Sequence, residues 1–230
     1  MSETFSGTVT IVDTQGRQVF KFDSQFALLD IGATGAEGDL RIADSQGRRV
    51  FIFDSTHAVL DLGATGNEGD LRIRGADGEF KIHLDGGAGD IKLLAADCAE
   101  DFDVNDVEAA EPGTVMVIDQ EGALKPSERS YDKRVAGVVS GGEGYKPGII
   151  LDKQESEANR MPVALMGKVA CKVDARHSPI EVGDLLTTSS TPGHAMKATD
   201  ALKAFGAVLG KALRPLEQGQ GMVPILIALQ

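Results

Sequence analysis

Apolar residues in the first part of the chain come in short runs rather than in helical stripes. Leu40/Ile42, Val50 to Phe53 and Ala58/Val59/Leu60/Leu62 follow one another at intervals of roughly ten residues, separated by Gly, Asp, Ser and Gln. Runs this short, bounded by turn formers such as Gln46-Gly47, predict strands and tight turns. The pattern repeats. Residues 13–43 and 44–74 match without a gap at 22 of 31 positions, and self-similarity at such a period marks a repetitive architecture. Gly38 and Gly69 open successive units, Phe20/Phe22 and Phe51/Phe53 share one phase, and Asp23, Asp54 and Asp85 share another. The repeats run over 7–37, 38–68 and 69–94. The third reads as truncated by one strand and one turn, because Gly89-Asp90-Ile91-Lys92-Leu93 follows Gly69-Asp70-Leu71 after only 20 residues.

Residues 1–96 therefore read as a β shaft, either a β-solenoid or β-helix within one chain or a β-prism shared between chains. So few units leave open ends and little self-buried core, whereas about three full repeats are needed for stability. Three chains packed together would supply the missing core and cover strand edges. In that shaft the Phe pairs, with Ile82 and Leu84 in the third unit, form the core ladder. Asp23, Asp54 and Asp85 close turns by accepting backbone N–H groups.

The 31-residue pattern stops near Asp97-Cys98-Ala99-Glu100-Asp101, and residues 97–230 carry strand-length apolar runs between turns. They predict a compact β barrel or sandwich. One short helix is expected over 199–205, ending at Gly206. In 169–173 the alternation predicts a strand with one buried face.

Composition narrows the function. Net charge is −12, with 9 Lys+Arg against 15 Asp+Glu in residues 1–94 and 14 against 20 in 95–230. An evenly acidic chain without a basic stripe argues against nucleic acid and anionic membranes. No apolar run reaches membrane-spanning length, and the first twenty residues lack a secretory-signal core, so neither membrane insertion nor signal-led export is expected. Cys98 and Cys171 are too few for a disulfide framework. They are either free thiols or one bridge tying the junction to the second domain.

Candidate chemistry is sparse. Asp97-Cys98 is the candidate self-cleavage site, since a thiol beside a scissile bond can accept an acyl group while a neighbouring carboxylate assists. Ser140, Asp132 and His177 supply the residue types of a nucleophilic triad, but no G-x-S-x-G elbow surrounds Ser140. The loop from Gly63 to Gly69 has neither the Lys-Ser/Thr of a phosphate loop nor the spacing of a calcium-binding β-roll repeat. His57, His83, His177 and His194 show no metal-ligand spacing, although His83 could face the shaft interior. No cofactor and no metal are expected.

The stretch from DCAEDF through EPGTVMVID, YDKRVAGVVSG, PVALMGKVACKVDA, PIEVGDLLTTSSTPGHAMKA and GAVLGKAL to GMVPILIALQ resembles the C-terminal module of many bacterial and phage fibre-like proteins. More distantly it is similar to the self-cleaving C-terminal domain of phage neck appendages, of peptidase G2 type. The resemblance covers residues 97–230, and the repeats before it resemble the shafts such modules terminate. It implies a homotrimeric, non-enzymatic fibre or spike component of a virion or phage-tail-like particle. Its partners would be its own copies, a baseplate-like assembly, and a cell-surface glycan or protein as receptor. The alternatives are a self-cleaving intramolecular chaperone and an intracellular scaffold or carbohydrate-binding module.

Overall fold

The structure, a computed structural model, describes residues 8–23, 28–32, 38–154 and 159–228, with the side chains of positions 22, 23, 28 and 30 outside that description. Strands dominate, and the chain divides into two units, Met1–Leu93 and Leu94–Gln230.

The first unit contains β1 (Thr8–Val12), β2 (Gln18–Asp23), β3 (Leu28–Ile31), β4 (Leu40–Ala43), β5 (Arg49–Asp54), β6 (Val59–Leu62), β7 (Asp70–Arg74), β8 (Phe80–Asp85) and β9 (Asp90–Leu93). They form three separate three-stranded sheets, β1-β2-β3, β4-β5-β6 and β7-β8-β9, each an antiparallel meander. Two expectations change here. A solenoid pairs each strand with its copy one repeat later, whereas these strands pair inside their own repeat. The third unit is also not short of a strand. β9 pairs with β8 through Leu84↔Ile91 and Ile82↔Leu93, as β6 pairs with β5 through Phe53↔Leu60 and Phe51↔Leu62. Its Gly-Asp-apolar-basic-apolar composition imitates an opening strand, but its place and pairing are those of the closing one.

Polar side chains pin the turns. Asp13 and Asp44 each accept a backbone N–H two residues on, from Gln15 and Gln46, and each pairs with an arginine, Arg17 and Arg48, at 2.7 Å. Asp54 Oδ1 accepts from His57 N and Asp85 Oδ1 from Ala88 N, closing the second turn of their repeats. The side chain of Asp23 lies outside the described residues. Gly38 and Gly69 are required by space rather than by backbone angle. A Cβ at Gly69 would lie 1.9 Å from the Leu62 carbonyl oxygen, and one at Gly38 2.0 Å from that of Ile31. Each repeat thus begins hard against the end of the one before.

The second unit contains β10 (Asp97–Asp103), β11 (Val115–Ile118), β12 (Leu124–Pro126), β13 (Val135–Val139), β14 (Pro147–Leu151), β15 (Arg160–Asp174), β16 (Leu185–Thr188), β17 (Ala195–Lys197), α1 (Ala201–Ala204), β18 (Val208–Ala212) and β19 (Gln220–Ala228). Around one end of β15 the order β15-β17-β16-β18-β19 returns to β15, closing a five-stranded barrel. Its core includes Val169, Cys171, Val173, Leu186, Leu209, Val223, Ile225 and Ile227. The other end of β15 pairs with β10 and β13 beside a second cluster of Val104, Ala110, Met116, Leu124, Val139 and Val163. Ala170 is buried as fully as its neighbours, so this part of β15 has both faces covered.

Substituting Gly69→Ala should destabilise the first unit by ~2 kcal/mol or more, since overpacking against immobile backbone forces the strands apart. Calorimetry should show the first unit's transition lowered and the second unit's unmoved.

Candidate functional site

Side chains alternate across a strand, so register decides which residues share a face. In the second sheet Leu40, Phe53 and Leu60 stand opposite one another, as do Ile42, Phe51 and Leu62, while the intervening row is Arg41, Ile52 and Asp61. In the third sheet the rows Leu71/Leu84/Ile91 and Ile73/Ile82/Leu93 flank Arg72/His83/Lys92. The first sheet places Ile11, Phe20 and Ile31 together in the same way. The side chain of Phe22 lies outside the described residues.

Each sheet therefore has one face of large apolar side chains and an opposite face that carries its charge. The apolar faces are uncovered. Phe53 is 43% exposed, Leu60 47% and Ile91 71%, and no described residue between 8 and 93 is buried. His83, expected inside the shaft, stands on the charged face with Nε2 3.0 Å from Asp70 Oδ2, a contact that leads in holding the Asp70 carboxyl below its usual range. A sheet with an apolar face must pack it against another layer. These faces are the candidate interface.

The second candidate is the start of β10. Asp97, Ala99 and Asp101 point inward, and the alternation puts Cys98 on the opposite face. The Asp97 carboxylate and Cys98 thiol therefore do not face each other, and the carboxylate instead meets Ser140. Ser140 Oγ donates to Asp97 Oδ2 at 2.7 Å inside the fold, with Asp97 only 6% exposed and its Oδ1 making no hydrogen bond. Burial pushes this carboxyl above its ordinary value, outweighing the Ser140 bond that pulls it down.

Ser140 is thus not part of a triad with Asp132 and His177. Asp132 is engaged by Arg134, at 2.7 Å from Nη2, and His177 lines a shallow cleft with Arg176 and Glu217. Sequence offered no signal for the Asp97–Ser140 pair, which lies 43 positions apart.

Both cysteines are free, which replaces the bridged alternative. Cys98 stands across from Met166, five positions before Cys171 on the same strand β15. At about 3.3 Å per residue that spacing is ~16 Å, beyond the ~7 Å Cα separation a disulfide allows. Burial drives the Cys171 thiol far upward, so it stays protonated.

A polar cleft of about 350 Å³ lies over β11 and β12, lined by Asp119, Lys125, Glu128, Arg129, Asp132 and Arg134. Its charges largely pair with each other, through Lys125–Glu128 and Arg134–Asp132. Among the described residues no group of three or more His, Cys, Asp or Glu could hold a metal ion, and no helix is long and apolar enough to cross a membrane.

No family model matches the chain, and no curated protein matches it. Among solved structures it is similar to the pre-mature form of gene product 12 of bacteriophage phi29. That likeness has 14% identity and a TM-score of 0.39, and it covers 65% of this chain and 24% of the phage protein. The chain thus spans about a quarter of that protein's length.

The buried carboxyl has a signature in pH. A folded-state pKa above the unfolded value means that the proton favours the fold, so this contribution is full below the ordinary value of 3.8 and is lost as pH rises through the raised one. Asp97→Asn keeps an acceptor for Ser140 without the charge. It should raise the urea midpoint of the second unit at neutral pH, and the gain should shrink towards zero on acidification. Parallel pH profiles for the two proteins would contradict a charged, buried Asp97.

Proposed function

We propose that the chain is a non-enzymatic structural component of a trimeric fibre or spike, with the first unit as a segment of shaft and the second as a tip or trimerisation unit. The observation that carries this reading is a unit of three complete sheets with an apolar face on each and no buried residue among those described. Folding a chain into that form is unfavourable unless something covers the faces, because ordering the backbone costs about 1–2 kcal/mol per residue and burial must offset it.

Geometry favours three copies over two. Strands ~4.8 Å apart make a three-stranded sheet about 14 Å wide, and three such sheets around an axis stand roughly 4–5 Å from it. That is half the ~10 Å separation of stacked sheets, so side chains from three faces just fill the space. Two copies face to face would bury the same side chains but leave every sheet edge open. In a triangular prism each edge lies beside the next chain. The charged rows, with Arg41, Asp61, Arg72 and Lys92, then point outward.

A phage or phage-tail-like particle is supported by the resemblance of residues 97–230 to fibre C-terminal modules. In such an assembly the shaft holds three second units in fixed geometry, and weak contacts to a surface glycan or protein add through multivalency. The buried Asp97–Ser140 pair near the unit boundary favours one second reading, a self-processing chaperone. That reading expects two fragments on a denaturing gel in place of the intact chain.

Sedimentation equilibrium at micromolar concentration should report three times 24.2 kDa. Phe53→Ala should cost roughly 3–5 kcal/mol per copy if the face is buried between chains, and Phe53→Asp should release monomers. A monomeric wild-type chain whose first unit melts cooperatively would overturn the trimer.

A further inference from the structure

Two apolar features of the second unit are uncovered, and they match. The first is the projection formed by α1 and the residue after it. Its backbone is tied down on both sides. The Asp200 carboxylate accepts from Leu202 N and Lys203 N at 3.1 and 3.2 Å, and the Tyr131 hydroxyl accepts from Thr199 N and Asp200 N at 3.0 Å each. Downstream, Thr187 Oγ1 donates to the Ala207 carbonyl at 2.7 Å. Ala204 and Ala207 are buried, yet Leu202 is 91% exposed and Phe205 83%. A segment this firmly mounted holds its two largest apolar side chains in water.

The second feature is an apolar hollow of about 190 Å³ lined by Leu185, Val208, Gly210, Lys211, Leu226 and Ala228. It lies on the outside of the barrel, where Leu185, Lys211 and Leu226 stand across from one another while Leu186, Ile225 and Ile227 point into the core. Gly210 contributes bare backbone to the lining. A Cβ there would lie 2.3 Å from the Leu226 carbonyl oxygen, so glycine is what lets the two strands approach this closely. An apolar cavity of roughly 150 Å³ accepts a benzene ring, so a phenylalanine ring fits this one. Lys211 belongs to the lining, and an ammonium over an inserted ring would add a cation–π attraction.

We propose that Phe205 of one copy, flanked by its Leu202, seats in the Leu185/Leu226 hollow of the next copy. The chain's own Phe205 stands in solvent despite lying three residues from Val208, so among the described residues this ring does not fill the hollow of its own copy. Plug and socket are different patches, which makes the contact head-to-tail. Such a contact closes into a ring when the rotation between copies is that of a closed symmetry. The inference rests on the trimer proposed above and adds a contact between second units to the one between sheets.

The test places the photoreactive residue p-benzoyl-phenylalanine at position 205 of the full chain, followed by irradiation, a denaturing gel and peptide mapping. The expected result is a covalent dimer with the adduct in β16, β18 or β19, abolished by Leu226→Arg on the exposed rim of the socket. An adduct within the same chain, an adduct elsewhere on a second copy, or no dimer would overturn the contact. Sedimentation of the same sample separates the two claims. A trimer without the adduct removes only this contact, and a monomer removes the trimer as well.

Discussion

The structure depends on a mismatch between what a three-stranded meander exposes and what it can bury. Pairing within one repeat satisfies the central strand's backbone on both sides, and alternation then places most of the large aliphatic and aromatic side chains of the unit on one face, with exceptions such as Ile52 in the charged row. A layer one strand thick has nothing behind it. Each repeat pairs its central strand on both sides but leaves two sheet edges and one apolar face open, which is what the proposed association would cover. This also explains why charge is abundant in the first unit without forming a site. Asp13–Arg17, Asp44–Arg48 and Asp85–Lys92 pin turns and edges on the side that faces water.

The second unit solves the same problem inside one chain. Its 15-residue strand β15 serves two cores, the closed barrel at one end and the smaller cluster beneath β10 and β13 at the other. Gly167, at a φ of +104°, lies where pairing with β10 ends, and a Cβ there would meet the Ala96 carbonyl oxygen at 2.5 Å. That close approach seats the start of β10 against the barrel and carries Asp97 into the interior, where Ser140 is its hydrogen-bond donor. Burial opposes the carboxyl's ionisation more than the single Ser140 hydroxyl assists it.

The two units thus differ in where their apolar surface goes, although both are built almost wholly from strands. In the second unit the ring of five strands removes sheet edges and encloses Val, Ile and Leu side chains completely. In the first, sheet edges and apolar faces remain open among the described residues. Leu202, Phe205 and the hollow beside Leu226 show that even the closed unit keeps a small uncovered apolar inventory on its outside.

Local chemistry was legible in the amino-acid order. The 31-residue period, three strands per unit and the turn carboxylates Asp54 and Asp85 follow from alternation and turn propensity, which act over a few residues. So does the change of architecture near Asp97. The close approach that requires Gly38 and Gly69, by contrast, appeared only in the structure. What the order left open was every decision made by partners distant in sequence. Whether strands pair within a repeat or with the next repeat depends on hydrogen bonds that either arrangement satisfies, and only the tertiary structure selected the meander. The Gly89-to-Leu93 segment could be read as an opening or a closing strand until its register with β8 settled it. Ser140 met Asp97 rather than Asp132, and Cys98 and Cys171 stayed apart, because a long strand and its register set separations that spacing along the chain does not encode.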